Sequence, residues 1–460
     1  MTGRSVPTHA AHSPLVAFYS DDFTGAADAM EALELGGVPT SVFLRPPTGE
    51  WLAQNPQVTA VGVAGHGRTM TPTEMTQALP PVFASLANLA PSLLHYKVCS
   101  TFDSSPRLGS IGHACELAVC EMGGTLIPVV VANPQLGRYC AFGNLFAQHG
   151  VGGPVLRLDR HPGLRDHVVT PMREADISRH LGQQTSLNTH SIDLTSIQLG
   201  DLPTIGSPEP CMVVLDTVTA DDLDTVGRWV WEWAQEGRSR VAVGSSGLSH
   251  ALAAAWRVTG RTSAPPPCSP AGTVDRLLVV AGSRSDVTAR QVEHALADGF
   301  ARISIDAATP DAWSIATERA SEALAAGHSP VLYVDASPVT HGGPADNDAR
   351  TEILSGLAEV TLAVLQTTPV QRLLVCGGDT SAAIGSALDF EELRFLTSID
   401  PAAPLCQCIG GAPWVDGLEV AFKGGQMGDV DYITRVREGR PAVPSHDRWT
   451  ALRRRYGSPE

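Results

Sequence analysis

Two adjacent acids, a hydroxyl and a glycine stand together in Ser20-Asp21-Asp22-Phe23-Thr24-Gly25-Ala26. These types at this spacing suit the handling of a substrate hydroxyl, because a carboxylate within hydrogen-bond reach can orient or deprotonate it. Residues 15–19 read as a buried strand and 26–35 as a helix. The acids therefore fall where strand gives way to helix, which is where open α/β sheets bind ligands. Gly25 permits a tight turn there, and Thr24 can cap the helix. The same letters also spell an Asx-type helix start with solvated acids, and the segment alone does not decide between the two.

Further chemistry follows other short apolar runs. Lys97 and the hydroxyls of Cys99-Ser100-Thr101-Phe102-Asp103-Ser104-Ser105-Pro106 could hold a carboxylate and the hydroxyls of a polyol acid. Arg68, after another strand, offers a planar fork suited to a carboxylate. In isolation each of these cations also reads as an ordinary surface residue. Asn133-Pro134-Gln135-Leu136-Gly137-Arg138 and Gly244-Ser245-Ser246-Gly247 end two more strands and could line the same cleft. Cys99 is either a nucleophile or a small packed thiol. The 15 histidines form no metal-ligand pattern, and the sequence names no metal ligand.

The second half carries three glycine turns, Gly282-Ser283-Arg284-Ser285, Gly377-Gly378-Asp379-Thr380 and Lys423-Gly424-Gly425-Gln426-Met427-Gly428. The first two follow strands and open helices, so backbone N–H groups and a helix N-terminus can face a phosphate. They are neither a P-loop nor a dinucleotide fingerprint. Jointly they read as a nucleotide cradle; singly each is also an ordinary capped turn.

These residues need a scaffold, and 460 residues exceed one ordinary core. In the first half, strands at 15–19, 40–44, 58–64, 126–132, 212–216 and 240–244 alternate with helices at 26–35, 72–89, 111–122, 220–235 and 249–256. In the second half, strands at 276–281, 302–305, 331–335 and 372–376 alternate with helices at 286–297, 311–326, 348–366 and 380–388. Such alternation predicts an α/β fold, two α/β domains with mostly parallel sheets. Residues 395–430 read as partly antiparallel, and 181–210 as loop-rich. Trp229, Trp231, Trp233 and Trp256 read as helix packing. Proline density at 261–272 marks a linker, placing the domains at 14–260 and 273–450. No internal sequence repeat is evident.

A net charge of −16 argues against nucleic acid as a partner. No apolar run is long enough to span a bilayer, and residues 1–13 lack the apolar stretch of a signal peptide and read as a disordered tail. Nine scattered cysteines suit free thiols in a reducing cytoplasm.

Taken in order, the Asp21-Asp22-Phe23-Thr24-Gly25-Ala26 segment, the Lys97 loop, Asn133–Arg138, Gly244–Leu248, Gly282-Ser283, Gly377–Ser381 and Lys423-Gly424-Gly425 resemble the four-carbon acid sugar kinase family across nearly the whole chain. The resemblance implies an N-terminal domain that binds a sugar acid, a C-terminal domain that binds ATP, Mg²⁺ as cofactor, and a homodimer. It implies phosphorylation of a terminal hydroxyl. Asp21, Asp22, Arg68, Lys97, Cys99, Ser100, Thr101 and Ser104 would meet substrate; Ser283, Gly377, Gly378, Asp379, Thr380, Gly424 and Gly425 would meet ATP. Asp22 is the first candidate for the base and Asp103 the second. Relatives usually place an Asp-Ser pair two residues after the loop lysine, then Thr-Leu-Arg-Gly. Here Cys99-Ser100 stands there and the acid moves to Asp103. That altered loop directs attention to a 3-oxo-tetronate or a branched 3-oxo acid such as 3-oxo-isoapionate. Closure of two domains about the proline-rich linker would exclude water during transfer. A non-catalytic sugar-acid sensor on the same scaffold, and an aldolase or dehydrogenase, are the competing readings.

Overall fold

The computed structural model describes residues 13–149, 153–165, 170–206, 209–265, 268–335 and 344–441, with only the backbone at 344–348. Residues 1–12, Pro266 and Pro267 of the linker, and the end of the second expected domain at 442–450 lie outside that set. The chain divides into two compact units, 1–266 and 267–460.

The N-terminal unit has eleven strands among its described residues: β1 (Val16–Ser20), β2 (Thr40–Phe43), β3 (Ala60–Ala64), β4 (Leu93–Lys97), β5 (Leu126–Val130), β6 (Arg138–Ala141), β7 (Asn144–Gln148), β8 (Val155–Arg157), β9 (Asn188–Ile192), β10 (Cys211–Leu215) and β11 (Val241–Gly244). Eight of them form a sheet in the order β2-β3-β1-β4-β11-β5-β10-β9. Every pairing in it is parallel. The central strands are buried along their whole length. This is why their sequences run apolar without alternation. Two strands were not foreseen in the apolar pattern. β4 reads Leu-Leu-His-Tyr-Lys, and its polar members are buried along with its leucines. β9 has only one buried residue, Ile192, and sits at the sheet edge, inside the stretch expected to be loop. The antiparallel β6-β7-β8 sheet is also new; its alternating half-burial gives no continuous apolar run.

Helices at Phe23–Leu35, Pro72–Asn88, Ile111–Met122, Ala220–Gln235 and Ser246–Val258 match the expected positions to within a few residues. Trp231 and Trp256 meet edge to face at 5.6 Å, as helix-packing residues.

The C-terminal unit has β12 (Leu277–Ala281), β13 (Ala301–Ile305), β14 (Pro330–Val334), β15 (Arg372–Cys376), β16 (Glu392–Asp400), β17 (Ala403–Ile409) and β18 (Glu419–Lys423). The order is β13-β14-β12-β15-β18-β17-β16, parallel through β18 and antiparallel beyond it. The first four strands of each unit are arranged alike: second, third, first, fourth. No sequence repeat betrays this, because the shared feature is topology. In each unit the connections diverge between the first and fourth strands, β1 and β4 in one, β12 and β15 in the other. Such a switch point leaves a crevice at the carboxyl ends of the strands.

One charge in the first unit has a consequence for stability. Glu34, near the end of its helix, accepts from the Thr40 backbone N–H at 2.7 Å. Burial pushes its carboxyl up to about 7, with the Thr40 N–H acting in the opposite sense. The native state thus holds a proton that the unfolded chain releases near its ordinary value of 4.5. The resulting stability is complete below that value and is lost as pH rises through about 7. Glu34→Gln keeps an acceptor for Thr40 and removes the titration. It should therefore gain on wild type from pH 5 to pH 8, by at most about 3 kcal/mol. Parallel melting of the two proteins at both pH values measures this; equal differences would refute it.

Candidate active site

The crevice between β1 and β4 collects the charged residues of the N-terminal unit. Asp22 is extended, at φ −145° and ψ 164°, and is itself the cap of helix Phe23–Leu35. It accepts from the Gly25 N–H at 2.8 Å and from the Thr24 hydroxyl at 2.9 Å. The expectation that Thr24 caps is thus corrected: a carboxylate one residue before the helix reaches the free N–H groups, and Thr24 braces it. Gly25 is needed for space, since it sits in the helix rather than in a left-handed turn. A Cβ there would overlap Asp22 Oδ1 and lie 2.8 Å from Ser20 Oγ and 2.9 Å from Lys97 Nζ.

Arg68 reaches the acids from the short turn Gly67–Thr69 after β3. Its Nη2 lies 3.0 Å from Asp21 Oδ1, and its Nη1 lies 3.1 Å from Asp22 Oδ2 and 3.9 Å from Asp103 Oδ2. The two aspartates respond differently. Burial pushes Asp21 up to about 6 despite Arg68 beside it. Asp22 is also buried, but Arg68, Lys97, Thr24 and the Gly25 N–H outweigh burial and hold it below the usual carboxylate range. Asp22 is therefore a fixed anion. Lys97, at the end of β4, is almost fully buried and lies 3.1 Å from Asp28. Burial opposes its charge, yet Asp28 and Asp22 more than restore it.

The following loop folds over this cluster. The Thr101 hydroxyl lies 2.8 Å from Asp103 Oδ2 and 2.9 Å from Cys99 Sγ. Burial, with Asp103 adding to it, pushes the Cys99 thiol up. A thiol held toward its protonated form is a poor nucleophile, which favours the packed-thiol reading of Cys99. Ser100 is half-buried beside it. Phe102 adopts φ +58° with its ring buried, a left-handed backbone that costs an L residue about 1–2 kcal/mol. Ser104 is buried. Its hydroxyl donates to Phe102 O at 3.0 Å and accepts from Gln184 Nε2 at 3.0 Å, with His180 Nε2 at 2.8 Å. One donor and two acceptor positions are then filled. The expectation that Ser104 meets substrate is corrected: its hydroxyl is consumed within the protein.

Sequence reasoning gave no role to Asp28, and it set Arg138 on the cleft without one. Asp28 is an acid within Ala26-Ala27-Asp28-Ala29-Met30, and that isolated charge in an apolar helix was the available signal. Arg138 ends a turn closed by two backbone hydrogen bonds of 3.1 Å to Asn133, with Gly137 at φ +66°. Its Nη1 donates to Leu136 O at 2.9 Å, and its buried Nε has no partner. No carboxylate of the described residues pairs with it. Burial works against its charge, and Cys99, Asp103 and Tyr139 offset this only in part.

In the C-terminal unit the three glycine turns come together at the β12/β15 crevice. The N–H groups of Gly282 and Ser283 both donate to Cys376 O at 3.1 Å, and Gly377 donates to Lys423 O at 2.8 Å. Gly377 has φ +120°, which only glycine adopts readily. A Cβ on Gly282 would overlap Thr380 Oγ1, and one on Gly425 would overlap Ser283 Oγ. Gly378 and Thr380 lie in the first turn of helix Gly378–Leu388, and Gly424 follows β18. Gly425 O accepts from Ser285 Oγ and Thr288 Oγ1. Lys423 Nζ lies 3.1 Å from Thr288 Oγ1 and from Gly424 O, so it fastens the turn from behind. Asp379 is half-exposed and paired with Arg350. Ser381 Oγ is buried without a partner. Close backbone approach and a helix N-terminus at one crevice fit a triphosphate. Among the described residues no three His, Cys, Asp or Glu side chains gather as a metal cage.

Residues 16–252 match the family model of a sugar-binding N-terminal domain, and 278–433 that of a nucleotide-binding C-terminal domain. The chain is 40% identical over 450 residues to the 3-oxo-isoapionate kinase of Paraburkholderia graminis, covering 93% of this chain and 95% of that protein. It is 29% identical to the 3-oxo-tetronate kinase of Methylobacterium radiotolerans, covering 91% and 97%. A solved Salmonella typhimurium LT2 protein shares the fold at a TM-score of 0.70 and 22% identity, covering 92% of this chain and 98% of that one.

Proposed function

The chain belongs to the four-carbon acid sugar kinase family, and on that footing we propose that it transfers the γ-phosphoryl group of ATP to a terminal hydroxyl of a branched 3-oxo acid of the 3-oxo-isoapionate type. A linear 3-oxo-tetronate is the second choice. The observation that carries the reading is the cluster of Asp21, Asp22 and Asp103 around Arg68, beside Lys97, at a parallel-sheet switch point.

In this reading Asp22 receives the proton of the substrate hydroxyl, with Asp103 as the second candidate. Phosphoryl transfer passes through a loose transition state and asks mainly for positioning and charge, so an anion of low basicity suffices to orient the hydroxyl. Arg68 already faces Asp21, Asp22 and Asp103, and Lys97 faces Asp28; together the two cations hold Asp22 as an anion. Arg138 brings a cation that no described carboxylate neutralises, and we assign it to the substrate carboxylate together with Arg68 and Lys97. Ser100 and Thr101 contact the acid's hydroxyls. Ser283, Gly377, Gly378, Thr380, Gly424 and Gly425 cradle the ATP phosphates. Asp379, in the first turn of helix Gly378–Leu388, is the carboxylate that would help to hold Mg²⁺ beside those phosphates, where the ion would supply charge neutralisation. Nine free cysteines agree with a cytoplasmic enzyme; among the described residues no helix is long and apolar enough to cross a membrane.

The test is ADP release with Mg²⁺ across a panel of tetronates, 3-oxo-tetronates and branched 3-oxo acids. The expected result is release well above the acid-free background with one 3-oxo acid. Tight ATP binding with no acid-dependent release would instead favour a sensor.

A further inference from the structure

Ser104, His180 and Gln184 form a buried polar knot beside the charged cluster. Phe102 holds φ +58° between Thr101 and Asp103, the two residues that carry the loop into the charged cluster. Its carbonyl accepts from Ser104 Oγ at 3.0 Å, and its N–H donates to Cys99 O at 2.9 Å. Ser104 in turn meets His180 Nε2 and Gln184 Nε2, both from the distant segment 177–184. With the Ser104 hydrogen on Phe102 O, the consistent tautomer of His180 carries its proton on Nε2 and donates to Ser104 Oγ. The His180 ring lies 5.8 Å from the Phe102 ring. Burial lowers the imidazole to about 4, with Glu174 and Asp103 opposing, so this neutral form persists at working pH. Gln184 also accepts from the Gly112 N–H at 3.3 Å, which ties the knot to helix Ile111–Met122.

We propose that Ser104, His180 and Gln184 form a clamp that holds Phe102 in its left-handed conformation, fixes Asp103 against Arg68, and so makes segment 177–184 a determinant of which sugar acid is accepted. The clamp residues are positioning residues, which act on Thr101 and Asp103 through Phe102. Their part in specificity rests on the kinase reading; their part in holding the loop does not. A left-handed, bulky residue persists only where its surroundings over-determine it. Releasing the clamp lets the loop relax, which moves Asp103 and Thr101 while leaving the nucleotide turns untouched.

The experiment compares wild type with Ser104→Ala, His180→Leu and His180→Gln. The glutamine can return a donor at the Nε2 position. Hydrogen exchange reads the loop directly. The Phe102 amide should exchange at least tenfold faster in Ser104→Ala and His180→Leu, with the rise confined to residues 99–105, and His180→Gln should recover most of the protection. Kinetics read specificity. In the same two variants KM for the preferred sugar acid should rise at least tenfold, KM for ATP should stay within twofold, and the ratio between branched and linear acids should shift. Unchanged exchange in folded variants would overturn the clamp. Changed exchange with unchanged acid preference would overturn its role in specificity. A wild type that phosphorylates no acid would refute the kinase reading, and with it the specificity role, while exchange alone would decide the clamp.

Discussion

Asp22→Asn is expected to lower kcat by about 10²–10⁴-fold while leaving the KM for ATP and the fold unchanged. The substitution is nearly isosteric. The amide oxygen can still accept from the Gly25 N–H that Asp22 holds at 2.8 Å, so the helix keeps its cap. What disappears is the fixed anion between Thr24, Arg68 and Lys97. Without it the substrate hydroxyl has no charged acceptor on this side, and Arg68 is left to Asp21 and Asp103. Steady-state kinetics with melting as a control measures the effect. Near-normal turnover would remove Asp22 as base and shift that role to Asp103.

The second large effect is expected from a single methyl group in the other unit. Gly282→Ala places a Cβ on Thr380 Oγ1, where the first and second glycine turns meet. Either Thr380 leaves its position or the 282–283 backbone shifts, and each outcome spoils the approach of N–H groups to a phosphate. Overpacking of this kind costs about 1–3 kcal/mol, which a domain of this size can survive. The expected result is a KM for ATP raised at least tenfold, with binding of the sugar acid alone unchanged by calorimetry. Equal loss at both ligands would mean that the turns do not form a separate nucleotide site.

Much of this was legible in the residues, and the reasons are specific. The parallel strands are buried on both faces, so β1, β3, β5, β12 and β15 announce themselves as short apolar runs. The glycine turns are visible because close approach excludes side chains. The acids at 21 and 22 stand out because a strand end rarely carries two charges by chance. The geometry within the site was not legible. Which of Asp22 and Thr24 caps the helix depends on a backbone angle, and the letters suit either. Lys97 reads as a surface cation until β4 is known to be a central strand and Asp28 to lie beside it. Ser104 looked like one more hydroxyl in a substrate loop. Only the positive φ of Phe102 turns it toward His180 and Gln184, which lie in a stretch whose sequence shows loop and little else. Arg138 joins the cluster through topology, since β5 stands two places from β4 in the sheet.

The most direct test of the central claim is to identify the product of ATP, Mg²⁺ and a branched 3-oxo acid by mass and by phosphorus–proton correlation. The account predicts one phosphoryl group, gained as a monoester on the terminal oxygen, with one ADP formed per product. ADP and free phosphate beside an unmodified acid, or phosphate on the carboxylate, would contradict it.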